Sequence, residues 1–158
     1  MNFRVVVRQD AKEPTNMYRF LESTAAQYMT TSVKSVTRSC TMTELESLFA
    51  QYDFDAWPVV EGGKLIGIVT KFDFLRLFAF TTGQLMPSYD VLMKRTVGDV
   101  MTEGIVHIET TTPLTRVLQM MVNNRIRSFP VLDAGGKLLG MISRGDVMRA
   151  LKQATGGK

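Results

Sequence analysis

The chain has 158 residues, 45% apolar and 22% charged, with a net charge of +4 and a pI near 9.4. That is the composition of one ordinary globular domain or two very small ones, and it excludes disordered, collagen-like and coiled-coil chains. One cysteine and one histidine exclude a disulfide framework and a four-ligand zinc site, and leave His107 as the only imidazole for nucleophile–base chemistry.

Along the chain, residues 1–10 fit a strand, a swapped arm or a disordered segment, and the Val5-Val6-Val7 run mildly favours the strand. They lack the apolar core of a signal peptide, and no apolar run approaches the about 20 residues that a spanning helix needs. Together with a single reduced cysteine, this leads to the expectation of a soluble, cytoplasmic protein with no membrane partner. Residues 11–27 predict a leader helix with Met17, Phe20 and Leu21 on one side.

A first unit, 28–78, then predicts a strand from Val33 to Thr37 and a helix opened by Cys40 or Thr41, where Thr41 and Glu44 fit a capping box. Met42, Leu45, Leu48, Phe49 and Tyr52 recur at helical spacing. Trp57-Pro58-Val59-Val60 turns through Glu61-Gly62-Gly63 into Leu65 to Thr70 as a hairpin, and a last helix starts near Asp73. Residues 79–99 read as a linker, broken at Met86-Pro87-Ser88 and helical from Tyr89 to Met93.

The second unit, 100–151, predicts a strand from Ile105 to Glu109 and a helix with Thr112 as N-cap and Pro113 at its first position. The apolar face of that helix is Leu114, Val117, Leu118, Met121 and Val122. A hairpin follows from Phe129-Pro130-Val131-Leu132 through Asp133-Ala134-Gly135-Gly136 into Leu138 to Ser143, and then a helix near Asp146. Residues 152–158 form a tail.

The two units are copies. Met101-Thr102 and Pro130-Val131 lie 72 positions after Met29-Thr30 and Pro58-Val59. After one inserted residue in the second glycine turn, Gly140, Asp146 and Arg149 lie 73 after Gly67, Asp73 and Arg76. About 50 residues is a poor size for an independent core, so the copies are expected to pack as one pseudo-symmetric α/β (α+β) domain of two β-α-β-β-α halves.

Met29-Thr30 and Met101-Thr102, the Trp57-Pro58-Val59-Val60 and Phe129-Pro130-Val131-Leu132 strands, and Gly67-Ile68-Val69-Thr70-Lys71-Phe72-Asp73 with Gly140-Met141-Ile142-Ser143-Arg144-Gly145-Asp146 together resemble a tandem pair of CBS domains, a Bateman module. The resemblance implies clefts between the halves that bind an adenine nucleotide (AMP, ADP or ATP) or S-adenosylmethionine, no catalytic cofactor, a disc-shaped homodimer, and regulation of a protein that the sequence does not name. Carried over residue by residue, it implies that Asp73 and Asp146 accept hydrogen bonds from ribose hydroxyls. It likewise implies that Thr70 and Ser143 contact sugar or phosphate, that Trp57 and Phe129 line the adenine slots, and that the strand near Ile105 reads the base edge. A Ser/Thr-x-x-Asp pattern at a helix start is also a capping box, and both roles can coexist.

The charges differ between copies: 28–78 sums to −1, while 100–151 and 152–158 each sum to +2. Arg125 and Arg127 stand where the first copy has Asp53 and Asp55, and Arg144 where it has Lys71. Fixed cations favour phosphate and carboxylates repel it. The expectation is therefore a phosphate-binding cleft on copy two and, on copy one, where Phe72 replaces Gly145, a cleft that binds a less charged adenosyl group, binds weakly or stays empty. Gly62-Gly63-Lys64 and Gly135-Gly136-Lys137 lack the spacing of a P-loop and read as turns. Cys40 and His107 read as structural residues. The expected protein is a non-enzymatic regulator acting in trans; a ligand-free dimerising scaffold is the alternative, and nucleic-acid binding fits the modest charge less well.

Overall fold

The computed structural model describes residues 17–79 and 87–156. The Val5–Val7 run, the start of the expected leader helix and Met86 lie outside the described residues. Copy one is preceded by α1 (Met17–Glu22) and α2 (Ala25–Tyr28) and contains α3 (Met42–Gln51), β1 (Ala56–Glu61), β2 (Lys64–Thr70) and α4 (Lys71–Arg76). Copy two is preceded by α5 (Tyr89–Met93) and α6 (Val97–Val100) and contains β3 (Ile108–Glu109), α7 (Leu114–Asn124), β4 (Ser128–Leu132), β5 (Leu138–Ser143) and α8 (Arg144–Ala154). The fold is α+β.

Local chemistry places most of these elements. Thr41 caps α3, and the Glu44 carboxylate accepts the Thr41 N–H at 2.7 Å. Both residues of the Gly62-Gly63 turn have positive φ, 56° and 77°, as a two-residue hairpin loop requires. The inserted residue falls in the other turn, where the Asp133 carboxylate accepts the Gly135 and Lys137 N–H groups, each at 2.9 Å.

Four expectations change. The leader helix is broken at Ser23-Thr24, and of its apolar side only Phe20 is buried; Met17 and Leu21 are exposed. The strand expected over Val33–Thr37 shrinks to a single parallel bridge between Val36 and Val59, and Ile105–Glu109 shrinks to β3. Thr112 does not cap α7: Pro113 holds the N-cap position, and the Thr112 hydroxyl instead accepts the Glu109 N–H at 3.1 Å. Val122, expected on the buried face, is exposed.

The shortened strands have a common cause. Thr30 and Met141 exchange two backbone hydrogen bonds, at 2.8 and 2.9 Å, so copy one enters by pairing with β5 of copy two. Val36 is already back in its own sheet, donating to the Pro58 carbonyl at 2.9 Å and accepting from the Val60 N–H at 2.9 Å. The residues between must cross from one half to the other and have no strand to pair with. Thr102 and Ile68 repeat the exchange, at 2.9 and 3.0 Å, before β3 joins β4.

The leader helices cross as well. Phe20 and Ala25 sit in the core of copy two with Leu114, Val117 and Phe129. Met93 and Val97 sit in the core of copy one with Met42, Leu45 and Trp57. The stretch read as a linker thus repeats the leader, with Leu92 buried like Phe20 and Val97 like Ala25.

The crossing works because glycine lies beneath it. A Cβ on Gly140 would stand 2.8 Å from the Thr30 carbonyl oxygen and 2.9 Å from the Met29 sulfur. A Cβ on Gly67 would stand 2.7 Å from the Met101 sulfur and 3.1 Å from the Thr102 oxygen. The Met-Thr and Gly elements of the repeat are therefore partners across the copies.

Gly140→Ala is expected to destabilise the protein by about 1–3 kcal/mol, the usual cost of overpacking against atoms that cannot withdraw. Gly145→Ala, whose added Cβ meets only the Ser143 hydroxyl at 3.5 Å, should be neutral or mildly stabilising. Urea unfolding measures both, and an unchanged midpoint for Gly140→Ala would contradict the close approach. The Glu44 carboxyl is held below its usual range, first by the Thr41 N–H and then by the Thr41 hydroxyl. A depressed folded pKa means that its contribution is complete above the unfolded pKa and fades as pH falls through the folded one. Glu44→Gln should therefore lessen the acid-side loss of stability in pH-dependent melts.

Candidate functional site

At the junction of β5 and α8 the chain turns from strand to helix within one residue. The Ser143 hydroxyl accepts the Asp146 N–H at 3.3 Å. One Asp146 carboxylate oxygen accepts the Ser143 N–H at 2.7 Å and its hydroxyl at 2.8 Å. The other accepts Arg149 Nη2 at 2.8 Å, and the same guanidinium nitrogen donates to the Tyr28 carbonyl at 3.1 Å. Asp146 is buried, so its charge is matched and its orientation set by the protein itself. Thr70 and Asp73 build the same box before α4, with oxygen contacts of 2.9 and 2.7 Å, but Arg76 stands farther off at 3.7 Å.

Next to the Ser143 junction is a cavity of about 400 Å³. Its walls come from both copies: Thr30 and Ser32–Lys34 on the crossing segment, Asp53–Ala56 before and at the start of β1, Arg127–Ser128 at the start of β4, Met141 on β5, and Ser143–Asp146. Of the residues that the sequence singled out, Ser143, Asp146, Arg127 and Arg144 stand together in this wall. α8 is long enough, at 11 residues, to present an N-terminal dipole to an anion.

Other expected residues lie elsewhere. Trp57 and Phe129 are fully buried in the two cores and do not line this cavity. Side chains alternate along a strand, so the preceding residues, Ala56 and Ser128, face the cavity instead. Ile105 is absent from the wall; Val33, 72 positions earlier, takes that place because the segment crosses from the other copy. Arg125 sits in left-handed conformation, φ 54°, after α7 and lines a groove between α7 and α8 that shares only Arg127 and Arg144 with the cavity. Thr70 and Asp73 belong to the other junction, where Phe72, 70% exposed, stands in the place of Gly145.

The contrast of charge between copies does not separate two clefts. Asp53 and Asp55, expected to repel phosphate from the copy-one cleft, line the same cavity as Arg127 and Arg144. Asp55 and Arg127 occupy equivalent positions 72 residues apart and touch, Nη1 to Oδ2 at 3.2 Å. Equivalent residues in contact lie on the pseudo-twofold axis, so their charges are not confined to either half. Lys34 and Phe54 are wall residues that the sequence did not single out, and Thr30 figures in it only as part of the repeat, with no role in a site. The Met29-Thr30 motif was the available signal, but the cavity to which it leads depends on the crossing.

Cys40 has its thiol pushed up by burial, then by the Glu44 charge and hydrogen bond, which disfavours a reactive thiolate. His107 Nδ1 lies 3.3 Å from the Ile105 carbonyl oxygen. Among the described residues no cluster of metal-ligating side chains occurs, and no helix is long and apolar enough to cross a membrane.

The sequence model of the CBS domain matches residues 25–79 and 97–153. The chain is 31% identical to the CBS domain-containing protein CBSX3, mitochondrial, of Arabidopsis thaliana, over 91% of this chain and 73% of that one. It is 29% identical to CBSX1, chloroplastic, of the same plant, over 82% of this chain but 64% of the relative's length. The crystal structure of CBSX2 in complex with AMP superposes with a TM-score of 0.72 at 28% identity, covering 82% of this chain and 96% of that one.

The two capping boxes should differ in strength. Asp146→Ala removes three accepted hydrogen bonds and leaves Arg149 without its carboxylate, and is expected to cost about 1.5–3 kcal/mol. Asp73→Ala, with its arginine more distant, should cost less. Chemical denaturation of the two variants compares them directly, and equal losses would contradict the difference in geometry.

Proposed function

The chain belongs to the CBS-domain family, and from that membership we propose that it binds an adenine nucleotide, AMP in the first place, or another adenosyl ligand in the cavity beside Ser143–Asp146. S-adenosylmethionine remains within this class. The observation that carries the proposal is the cavity itself, a mixed polar and apolar space of ligand size at the N-terminus of α8, with a buried and pre-oriented carboxylate in its wall. A carboxylate offers about four lone-pair sites. Asp146 uses three, which leaves one on the oxygen facing Arg149 for a ribose hydroxyl. Gly145 keeps the entrance clear. The likeness to CBSX2, whose structure holds AMP, supports the choice of ligand.

In this proposal the protein is a cytoplasmic regulator, not an enzyme. It converts occupancy into a change at a surface used by a second copy of the chain or by a regulated protein. Arg127 and Arg144 line both the cavity and the groove between α7 and α8, so a phosphate that draws them inward alters the charged end of that groove. A ligand shifts such an equilibrium only by its differential affinity for the two states. Native mass spectrometry reads the oligomer and any retained ligand together.

Calorimetry with AMP tests the site. Asp146→Ala is expected to weaken binding by roughly tenfold to a hundredfold, the scale for a hydrogen bond to a charged group. Gly145→Phe, which puts the ring of the other copy into the entrance, should abolish binding while leaving the capping box intact. AMP at 100 times its Kd should stabilise the wild-type protein by about 2.7 kcal/mol. No thermal shift with AMP, ADP, ATP or S-adenosylmethionine would reject the proposal and favour a ligand-free scaffold.

A further inference from the structure

We propose that Asp55, with Asp53 beside it, limits this cleft to ligands carrying a single phosphate. The inference deepens the adenosyl-ligand proposal and rests on it. Most charges in the wall are already committed. Asp146 is spent on the capping box and Arg149. Arg127 is held by Asp55 at 3.2 Å, and Lys71 reaches Asp55 and Asp53 at 3.9 and 4.0 Å. Among the described residues, Lys34 and Arg144 have no carboxylate partner; the Lys34 ammonium lies over the Tyr52 ring, 4.9 Å from its centre.

Two uncommitted cations and a helix N-terminus match one phosphate, which carries about −1.5 to −2 charges near neutral pH. A second or third phosphate adds negative charge with no free cation to meet it. To bind one, Arg127 must leave Asp55, and Asp55 and Asp53, left with the single ammonium of Lys71 between them, then face the incoming anion. The Asp55–Arg127 pair is too exposed, at 60% and 64%, to resist breaking on its own. The selectivity therefore comes from the charge left in the wall after the pair breaks. A cavity of about 400 Å³ is also near the lower end of the small-ligand range.

The experiment is calorimetry at fixed ionic strength, without divalent cations, using AMP, ADP and ATP on the wild-type protein, Asp55→Asn and Asp55→Asn/Arg127→Ala. Both side chains are more than half exposed, so the variants are expected to fold, and a thermal melt checks this. The wild-type protein should bind ATP at least about tenfold more weakly than AMP. Asp55→Asn should raise ATP affinity about tenfold and AMP affinity much less, on the scale of one solvent-screened charge near a phosphate. Adding Arg127→Ala should remove the gain, because it takes away the cation that the lost carboxylate left unmatched and restores the charge balance of the wall. An AMP-to-ATP preference that is absent from the wild-type protein, or unchanged in Asp55→Asn, overturns Asp55 as the discriminator while AMP binding stands. If none of the three nucleotides binds the wild-type protein, the nucleotide site fails and the discriminator with it.

Discussion

The structure depends on one exchange made twice. The entry segment of each copy pairs with the last strand of the other, Thr30 with Met141 and Thr102 with Ile68, and a glycine beneath each crossing admits the methionine and the backbone. A unit of about 50 residues buries too little surface to stand alone. The exchange removes the difficulty by giving each core a helix from outside its own hairpin. Phe20 and Ala25 complete the core around Phe129, while Met93 and Val97 complete the one around Trp57. Neither half has a full core without the other.

The same exchange makes the cavity. A segment that leaves one sheet and enters another has backbone that neither sheet uses, and Ser32, Val33 and Lys34 line the cavity in that condition. Opposite them, a tight strand-to-helix turn holds Asp146 in a capping box backed by Arg149. Cap and proposed ligand contact do not compete, because they use different lone pairs of one carboxylate. The bonds that stabilise the start of α8 also orient the carboxylate before any ligand arrives, which lowers the ordering cost of binding. The two junctions share this chemistry and differ in what stands beside it, Gly145 in one and the exposed Phe72 in the other.

Features governed by near neighbours were legible in the sequence. The capping boxes at Thr41, Thr70 and Ser143 close within three residues, and both hairpins follow from their turns and alternating strands. The repeat was legible because duplication preserves spacing. The exceptions were also informative. Thr112 has the chemistry of an N-cap, yet its hydroxyl is taken by Glu109, and Val33–Thr37 has the composition of a strand but only Val36 has a partner. Trp57 and Phe129 are on the strands where expected, with their rings on the core side of the pleat.

The order of elements, the duplication and the Ser143–Asp146 motif were therefore determined by the sequence alone. Which copy each segment serves was decided only by the tertiary structure. The reason is physical: the two copies carry the same pattern of hydrogen-bonding and apolar positions, so pairing within a copy and pairing across copies satisfy that pattern equally well. The choice between them turns on the fit of Met29 over Gly140 and Met101 over Gly67, contacts between residues about 110 and 35 positions apart, whose partners no local periodicity specifies. The charges follow the same rule. Asp55 and Arg127 read as opposites belonging to separate clefts, and the pseudo-twofold axis joins them in one wall.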